Sequence, residues 1–386
     1  MSATKLNFKL SGSHVVERLV SEHPTCQVFV MDKVDYCSSM ANLAAVSSSE
    51  NYHFIKGDIT SSDFVNYIMV EHAIDTIMHF AAHSHVDNSF EDSLDYTTTN
   101  VLGTHVLLEA AKRAGVARFI HVSTDEVYGE VQPGQANCTE DSILAPTNPY
   151  AATKAAAESL VMAYHKSFKL PVIITRSNNI YGPYQYPEKI IPKIVCAFLN
   201  GKKFFIHGDG SNSRHYLHAF DVSEAMLTIL KRGIIGETYN IGSDTELSNL
   251  QLARYLLLQL DLIKVSYPTT TAILTKTKED EGMQKIKASV PLTVLGNLTG
   301  VGNPLDGEER YLEFVADRPF NDRRYAIDSA KIHALGWRPR ILFEDGVRQT
   351  IEWYAKNWDT WWSEDVVESS LAPHPAKVIV RREQME

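Results

Sequence analysis

The chain has 386 residues and a formal net charge of −10, which allows a large buried core and gives no general attraction to nucleic acid or an anionic membrane. Its four cysteines, Cys26, Cys37, Cys138 and Cys196, form no C-x-x-C pair, which argues against a disulfide framework or a zinc site and fits a reducing, cytoplasmic setting with no bound metal. No apolar run nears the ~20 residues of a membrane span, and residues 1–10 lack the apolar core of a signal peptide.

In chain order, residues 14–22 read as a helix and 27–31 (QVFVM) as a strand. Two further strands are predicted at 75–80 and 118–123, flanking a helix over 96–113. A helix over 150–168 is followed by a strand at 171–175. Short strands rich in β-branched residues, separated by helices, predict a Rossmann-type doubly wound α/β fold with a parallel sheet covered on both faces. Ligands of such sheets sit beyond the carboxyl ends of the strands. Asp32, the pair Ala81 and Ala82, and the run Ser123, Thr124, Asp125, Glu126 all stand at those ends.

The predicted domains are a cofactor domain over 1–180, to which 215–245 returns, and a smaller substrate lobe over 181–214 and 246–360. Within that lobe 263–310, rich in Thr, Lys and Gly, reads as a surface insertion, because long structureless loops are uncommon inside compact domains. Residues 361–386 read as a peripheral tail.

Two constellations carry chemistry. Tyr150 and Lys154 lie four apart and share a helix face. An ammonium beside a phenol lowers its pKa and lets it exchange a proton near neutrality. The spacing alone is common on surface helices, and its place after a strand ending in Ser123 and Thr124 selects the chemical reading. The second is Asp125 beside Glu126. Two carboxyls at the end of a buried strand are costly unless solvated or used, and in different environments they divide acid and base work. The bland alternative is a capping turn.

The segments carrying these residues, in order with GDI (57–59), FAAHSHVD (80–87), NVLGT (100–104), STDEVYG (123–129), PYAATK (149–154), RSNNIYGPYQYPEK (176–189), GDG (208–210), YNIG (239–242) and RPFNDRRY (318–325), resemble the nucleoside-diphosphate-glucose 4,6-dehydratases, the dTDP-glucose 4,6-dehydratases and their relatives within the extended short-chain dehydrogenases. The resemblance runs from Gly12 to about Trp362. The Arg-Pro-Phe-Asn-Asp form resembles eukaryotic members, including the UDP-glucose-using domain of plant rhamnose synthases. It implies an NAD-dependent hydro-lyase acting on a nucleoside-diphosphate glucose as a homodimer. Tyr150 would take the C4 hydroxyl proton, Thr124 would bond that oxygen, Glu126 would remove the C5 proton and Asp125 would protonate the departing C6 hydroxyl. Lys154 would hold the nicotinamide ribose. Asp32 would take the adenosine ribose and favour NAD over NADP. Asp58 and Ile59 would line the adenine, and Ala81, Ala82 and Thr104 the phosphates and ribose. The resemblance also implies substrate contacts at Ser84, Asn179, Glu188 and Lys189 and diphosphate clamps at Arg214 and Arg323, where a guanidinium fork suits phosphate. Alternative products within the same fold come from 4-epimerases and decarboxylases, which lack the Asp-Glu pair, and UDP-glucose is the alternative donor.

The family opens on a strand and a G-x-x-G-x-x-G loop. Gly12 matches its last glycine, but Lys9 and Leu6 stand three and six residues earlier, and a strand over 6–10 would leave no room for the loop. Two readings stay open: a sequence lacking a short segment, or an inactive relative that binds NAD weakly. After Arg214 the sequence His-Tyr-Leu-His also departs from the family's usual Asp-Trp.

Overall fold

The computed structural model describes residues 10–266, 305, 307–317 and 320–372. Described residues within Met1–Tyr184, Arg214–Glu246 and Asp322–Arg340 form one compact unit; those within Gln185–Ser213, Leu247–Asn321 and Ile341–Glu386 form a second.

The first unit runs α1 (Leu10–Glu22), β1 (Val28–Asp32), β2 (Tyr52–Lys56), α2 (Ser62–Glu71), β3 (Thr76–His79), α3 (Val86–Glu91) and α4 (Ser93–Tyr96). A π-helical turn (Thr97–Leu102) leads into α5 (Gly103–Ala114), followed by β4 (Arg118–Thr124), α6 (Pro149–Phe168), β5 (Val172–Ser177) and β6 (Asn179–Tyr181). After α7 (Ile190–Leu199) and β7 (Phe204–His207) of the second unit, it resumes with β8 (Ser213–His218), α8 (Ala219–Arg232) and β9 (Thr238–Ile241).

Strands β3, β4, β5 and β9 form one parallel sheet in that order. Its strands are apolar on both faces because both are covered, as the alternation along each strand shows. Phe119 of β4 and Val172 and Ile174 of β5 join Leu107, Leu108 and Val161 of α5 and α6. Ile120 and Ile173 point the other way, toward Val15, Val16 and Leu19 of α1 and Met226 of α8. This is the predicted helix–sheet–helix layering. β1 and β2 pair in parallel as a separate two-stranded piece. Among the described residues β1 pairs with β2 alone and β3 with β4 alone. Of residues 6–10, weighed above as a strand, only Leu10 is described, and it opens α1.

Register places the site. Thr124 of β4 pairs with Ser177 of β5, and Ser177 with Ile241 of β9, so three neighbouring strands end level. The residues that follow them, Asp125, Asn178 and Gly242, leave the sheet side by side.

The second unit contains α7, a parallel pair of β7 with β11 (Leu312–Val315), and α9 (Asn249–Ser266), which follows β10 (Glu246–Ser248) at the boundary. Three expectations change. Residues 322–340, assigned to the substrate lobe, belong to the first unit: α10 (Ala330–Ala334) buries Ile332 in its core, and Trp337 Nε1 donates to Asp221 O at 3.0 Å. The tail is partly packed. After α11 (Phe343–Trp361), α12 (Glu364–Leu371) buries Val367 and Leu371, and Lys193 Nζ donates to Ala372 O at 3.3 Å. The insertion over 263–310 lies mostly outside the described residues, but α9 continues into it as far as Ser266.

Candidate active site

At the end of β4 the chain turns tightly through a 3₁₀ helix, Asp125–Tyr128. Thr124 caps it, its Oγ1 accepting from Glu126 N at 3.3 Å and donating to Asp125 Oδ1 at 3.3 Å. The turn closes at Gly129 with φ of +77°, where an added Cβ would sit 2.2 Å from Ala145 O. Only glycine fits there.

Asp125 is 2% exposed. Its Oδ2 accepts from Asn178 Nδ2 at 2.8 Å. Burial pushes its carboxyl up to about 7; the Asn178 hydrogen bond opposes this, the charge of Glu126 adds to it, and Arg214 and Thr124 pull it back. Glu126 is half-buried, and its Oε2 accepts from Asn148 Nδ2 at 3.1 Å. Two adjacent carboxyls thus sit in different environments, the condition for dividing acid and base roles.

The same Asn148 opens α6, its Oδ1 accepting from Ala151 N at 2.8 Å with Pro149 at the first helical position. One side chain therefore fixes Glu126 and the helix start that carries Tyr150. Tyr150 is buried and hydrogen-bonded to Thr124. The fold brings Thr124, Asp125, Glu126 and Tyr150 together, as expected. Burial holds the Tyr150 phenol above its ordinary range, the charge of Glu126 adds to this, and the Thr124 bond opposes both. This differs from the lowering expected from Lys154. The Lys154 ammonium donates to Val122 O at 2.7 Å, and burial with two carboxylates dominates the phenol.

Behind the turn lies a buried polar frame. Arg176 meets both Glu158 oxygens, through Nε at 3.1 Å and Nη2 at 2.6 Å, and donates from Nη1 to Tyr128 OH at 2.6 Å. Tyr128 OH donates onward to Asn240 Oδ1 at 2.8 Å. Arg214 stacks over the Tyr325 ring at 4.5 Å and donates from Nη1 to Asp322 O at 3.0 Å.

A second cleft of the first unit is lined by Met31, Asp32, Asp58, Ile59, Ala81 and Ala82. Asp32 ends β1, its Oδ1 accepting from Val34 N at 2.6 Å and Ser38 Oγ at 3.3 Å. Asp58 Oδ1 accepts from Thr60 N at 2.9 Å in the turn that opens α2. A carboxylate for a ribose diol beside the apolar Met31 and Ile59 fits an adenosine, and that carboxylate would repel a 2′-phosphate. Thr104 does not line the cleft: its hydroxyl donates to Asn100 O at 2.6 Å and meets His79 Nε2 at 2.9 Å. Thr99, on the π-helical turn, lines it instead. Gly12 is buried in the first turn of α1, and the positions before Leu10 lie outside the described residues.

Among the remaining expected contacts, Ser84 stands in the loop after β3 and Asn179 starts β6, opposite Tyr216. Glu188 and Lys189 belong to the second unit, immediately before α7. Arg323 is exposed, and its backbone N–H donates to Glu130 Oε1 at 2.9 Å. The sequence reading missed Asn178, Asn148, Asn100 and Tyr325. Asn100 clamps the loop after β3 to α6: its Oδ1 accepts from His83 N at 2.8 Å, and its Nδ2 donates to His83 O at 3.1 Å and Thr153 Oγ1 at 2.9 Å. The Asn-Pro-Tyr order at 148–150 is a readable helix start and could have located Asn148. Among the described residues, no group of three or more His, Cys, Asp or Glu could hold a metal, and no helix is long and apolar enough to cross a membrane.

The GDP-mannose 4,6 dehydratase family profile matches residues 10–290. The chain is 45% identical over 371 residues to an Arabidopsis thaliana protein named trifunctional UDP-glucose 4,6-dehydratase/UDP-4-keto-6-deoxy-D-glucose 3,5-epimerase/UDP-4-keto-L-rhamnose-reductase. That match covers 96% of this chain and 49% of the relative, so the chain spans about half its length. It is 43% identical over 364 residues to the Homo sapiens dTDP-D-glucose 4,6-dehydratase, covering 94% of this chain and 91% of that one. Among solved structures, DesIV, a dTDP-glucose 4,6-dehydratase from Streptomyces venezuelae solved with NAD bound, matches with a TM-score of 0.77 at 36% identity, covering 95% of this chain and 100% of that one.

Proposed function

Because the chain belongs to the GDP-mannose 4,6 dehydratase family, we propose that it is an NAD-dependent dTDP-glucose 4,6-dehydratase, removing water across C5 and C6 of the sugar. The observation that carries the reading is one cluster in which Thr124 bonds Tyr150 and Asp125 while Glu126 stands beside them, with Asp125 raised to about 7. The dTDP donor is supported by the human relative, which the chain matches over 91% of that protein's length.

NAD, when bound, would supply the hydride acceptor for C4, the hydride donor for C6 and a positive charge that favours the Tyr150 phenolate. Tyr150, reacting as the phenolate, takes the C4 hydroxyl proton as the hydride leaves C4, and the Thr124 hydroxyl holds that oxygen in line. The C4 ketone acidifies C5, and Glu126 removes the C5 proton. Asp125, kept neutral by burial, gives its proton to the departing C6 hydroxyl. Asp32 accepts from the adenosine ribose, Asp58 and Ile59 border the adenine, Ala81 and Ala82 border the phosphates, and Lys154 holds the nicotinamide ribose. Arg214 supplies cationic contact to the diphosphate, with Ser84, Asn179, Glu188, Lys189 and Arg323 as further substrate contacts. The cofactor domain is proposed to be the first unit, which takes in 322–340 as well, and the substrate lobe the second.

The chain is further proposed to act as a cytoplasmic homodimer. Exposed Leu94, Leu102 and Phe168 on α4, the π-helical turn and α6 support an apolar partner surface, and four cysteines outside any disulfide suit a reducing compartment. Sedimentation showing only monomer at micromolar concentration would refute the dimer.

The deciding assay incubates purified protein with NAD and either dTDP-glucose or UDP-glucose. The expected product is a 4-keto-6-deoxy sugar, seen by its absorbance in alkali, with dTDP-glucose turned over faster. No such product from either donor, with NAD binding demonstrated by titration, defeats the assignment. A 4-epimerase would keep the C6 oxygen and tolerate Glu126→Gln.

A further inference from the structure

Three neighbouring strands end level, and the residue after each meets the others at the carboxyl edge of the sheet. Asp125 follows β4, Asn178 follows β5, and Gly242 with Ser243 follows β9. Asn178 is 3% exposed and is held from two sides. Its Oδ1 accepts from Ser243 N at 3.1 Å, and its own backbone N–H donates to Ile241 O at 3.2 Å. An amide whose oxygen is taken by a backbone N–H cannot flip, so Nδ2 must face Asp125, where it donates to Oδ2 at 2.8 Å. The approach requires glycine at 242: an added Cβ would lie 2.6 Å from Asn178 Oδ1. Thr124 donates to Asp125 Oδ1 from the other side.

We propose that Asn178 is a positioning residue for the elimination step, its amide oriented by the Ser243 N–H so that Asp125 is clamped with its acid proton directed at the sugar. The inference rests on the assignment of Asp125 as the acid. A carboxyl donor tied at both oxygens delivers its proton from one geometry, and loss of such alignment lowers rates steeply. The other titratable or charged groups facing Asp125 are Glu126, whose charge resists its ionisation, Arg214, whose charge favours it, and the Tyr150 phenol and Cys138 thiol, both of which its charge holds protonated. Asn178 belongs with Arg214 on the side of the ionised form.

The test compares wild type, Asn178→Ala and Asn178→Asp in steady-state and single-turnover assays with NAD and dTDP-glucose across pH 5–9. Asn178→Asp has the same shape and keeps an acceptor for Ser243 N–H, so it carries the test should Asn178→Ala not fold. In both variants kcat should fall about tenfold or more while KM stays within about twofold. The alkaline limb of kcat should move to higher pH, because a donor that favours the carboxylate has gone. Reduced cofactor should accumulate at 340 nm, since C4 oxidation is intact and elimination is slow. An unmoved alkaline limb with kcat within twofold of wild type overturns the role of Asn178. Absence of 4-keto-6-deoxy product from wild type overturns instead the reaction on which the inference rests.

Discussion

Replacing Asp125 with Asn tests the electrostatics of the site without relying on turnover. The Asp125 carboxyl titrates near pH 7 in the folded chain, against an ordinary value of 3.8. The gap of about three pH units, at ~1.36 kcal/mol each, corresponds to about 4 kcal/mol. Asp125 binds its proton more tightly folded than unfolded, so its contribution to stability is fully present below about pH 4. It is lost as pH rises to 7, because over that window the folded state holds a proton that unfolding releases. Asn does not titrate, so the variant lacks this slope. Its amide keeps the shape and presents an acceptor to Asn178 Nδ2.

Between pH 5 and pH 8.5 about two of the three units are crossed. The stability of Asp125→Asn should therefore rise relative to wild type by about 3 kcal/mol. With 2% of the residue exposed, solvent screening takes little from that figure. Urea unfolding of both proteins at pH 5, 6, 7 and 8.5, followed by far-UV circular dichroism, measures the difference directly. Two stability curves that stay parallel within about 0.5 kcal/mol across that range would refute the claim that burial keeps Asp125 neutral, and with it the assignment of this carboxyl as the acid.

Three further outcomes follow from the same geometry. Tyr150→Phe should lower kcat by about 10²–10⁴-fold with no reduced cofactor accumulating at 340 nm, because the block falls before C4 oxidation; accumulation would place the base elsewhere. Glu158→Gln leaves the Arg176 guanidinium buried without its countercharge and should lower stability by about 3–5 kcal/mol in urea unfolding; a change under about 1 kcal/mol would show that Tyr128 and the Glu140 carbonyl satisfy Arg176 alone. Asp32→Ser should narrow the preference for NAD over NADP by about tenfold or more in fluorescence titrations, and unchanged discrimination would remove Asp32 from the ribose site.

The legible parts of the fold were those whose burial leaves a periodic trace. β4 and β5 were readable because both faces are covered and each carries apolar and β-branched residues in close succession, Phe119, Ile120 and Val122 in one and Val172, Ile173, Ile174 and Thr175 in the other. β2, with His53 and Lys56 in a half-exposed five-residue run, leaves no such trace. The return of 322–340 to the first unit was hidden for a different reason. It is set by Trp337 reaching Asp221, residues 116 apart in sequence, and no local pattern encodes that contact. Thr104 shows a related limit: its place on α5 was readable, but its direction into the interior was decided by His79 and Asn100.

At the site, residue types that react were visible and residue types that hold them were not. Tyr150, Asp125 and Glu126 stand out because phenols and adjacent carboxyls are expensive to bury without a task. The asparagines that orient them do not, since a lone Asn is ordinary at any turn. Yet strand register gave Asn178 a place that could be reasoned out. A doubly wound sheet collects the residues after its strands along one edge. Asn178 sits 53 positions from Asp125 and 65 from Ser243, and only the level ends of β4, β5 and β9 join them. Polar residues directly after two adjacent parallel strands, with a backbone N–H two residues past the end of the third, are therefore a stronger sign of a shared clamp than any of them read alone.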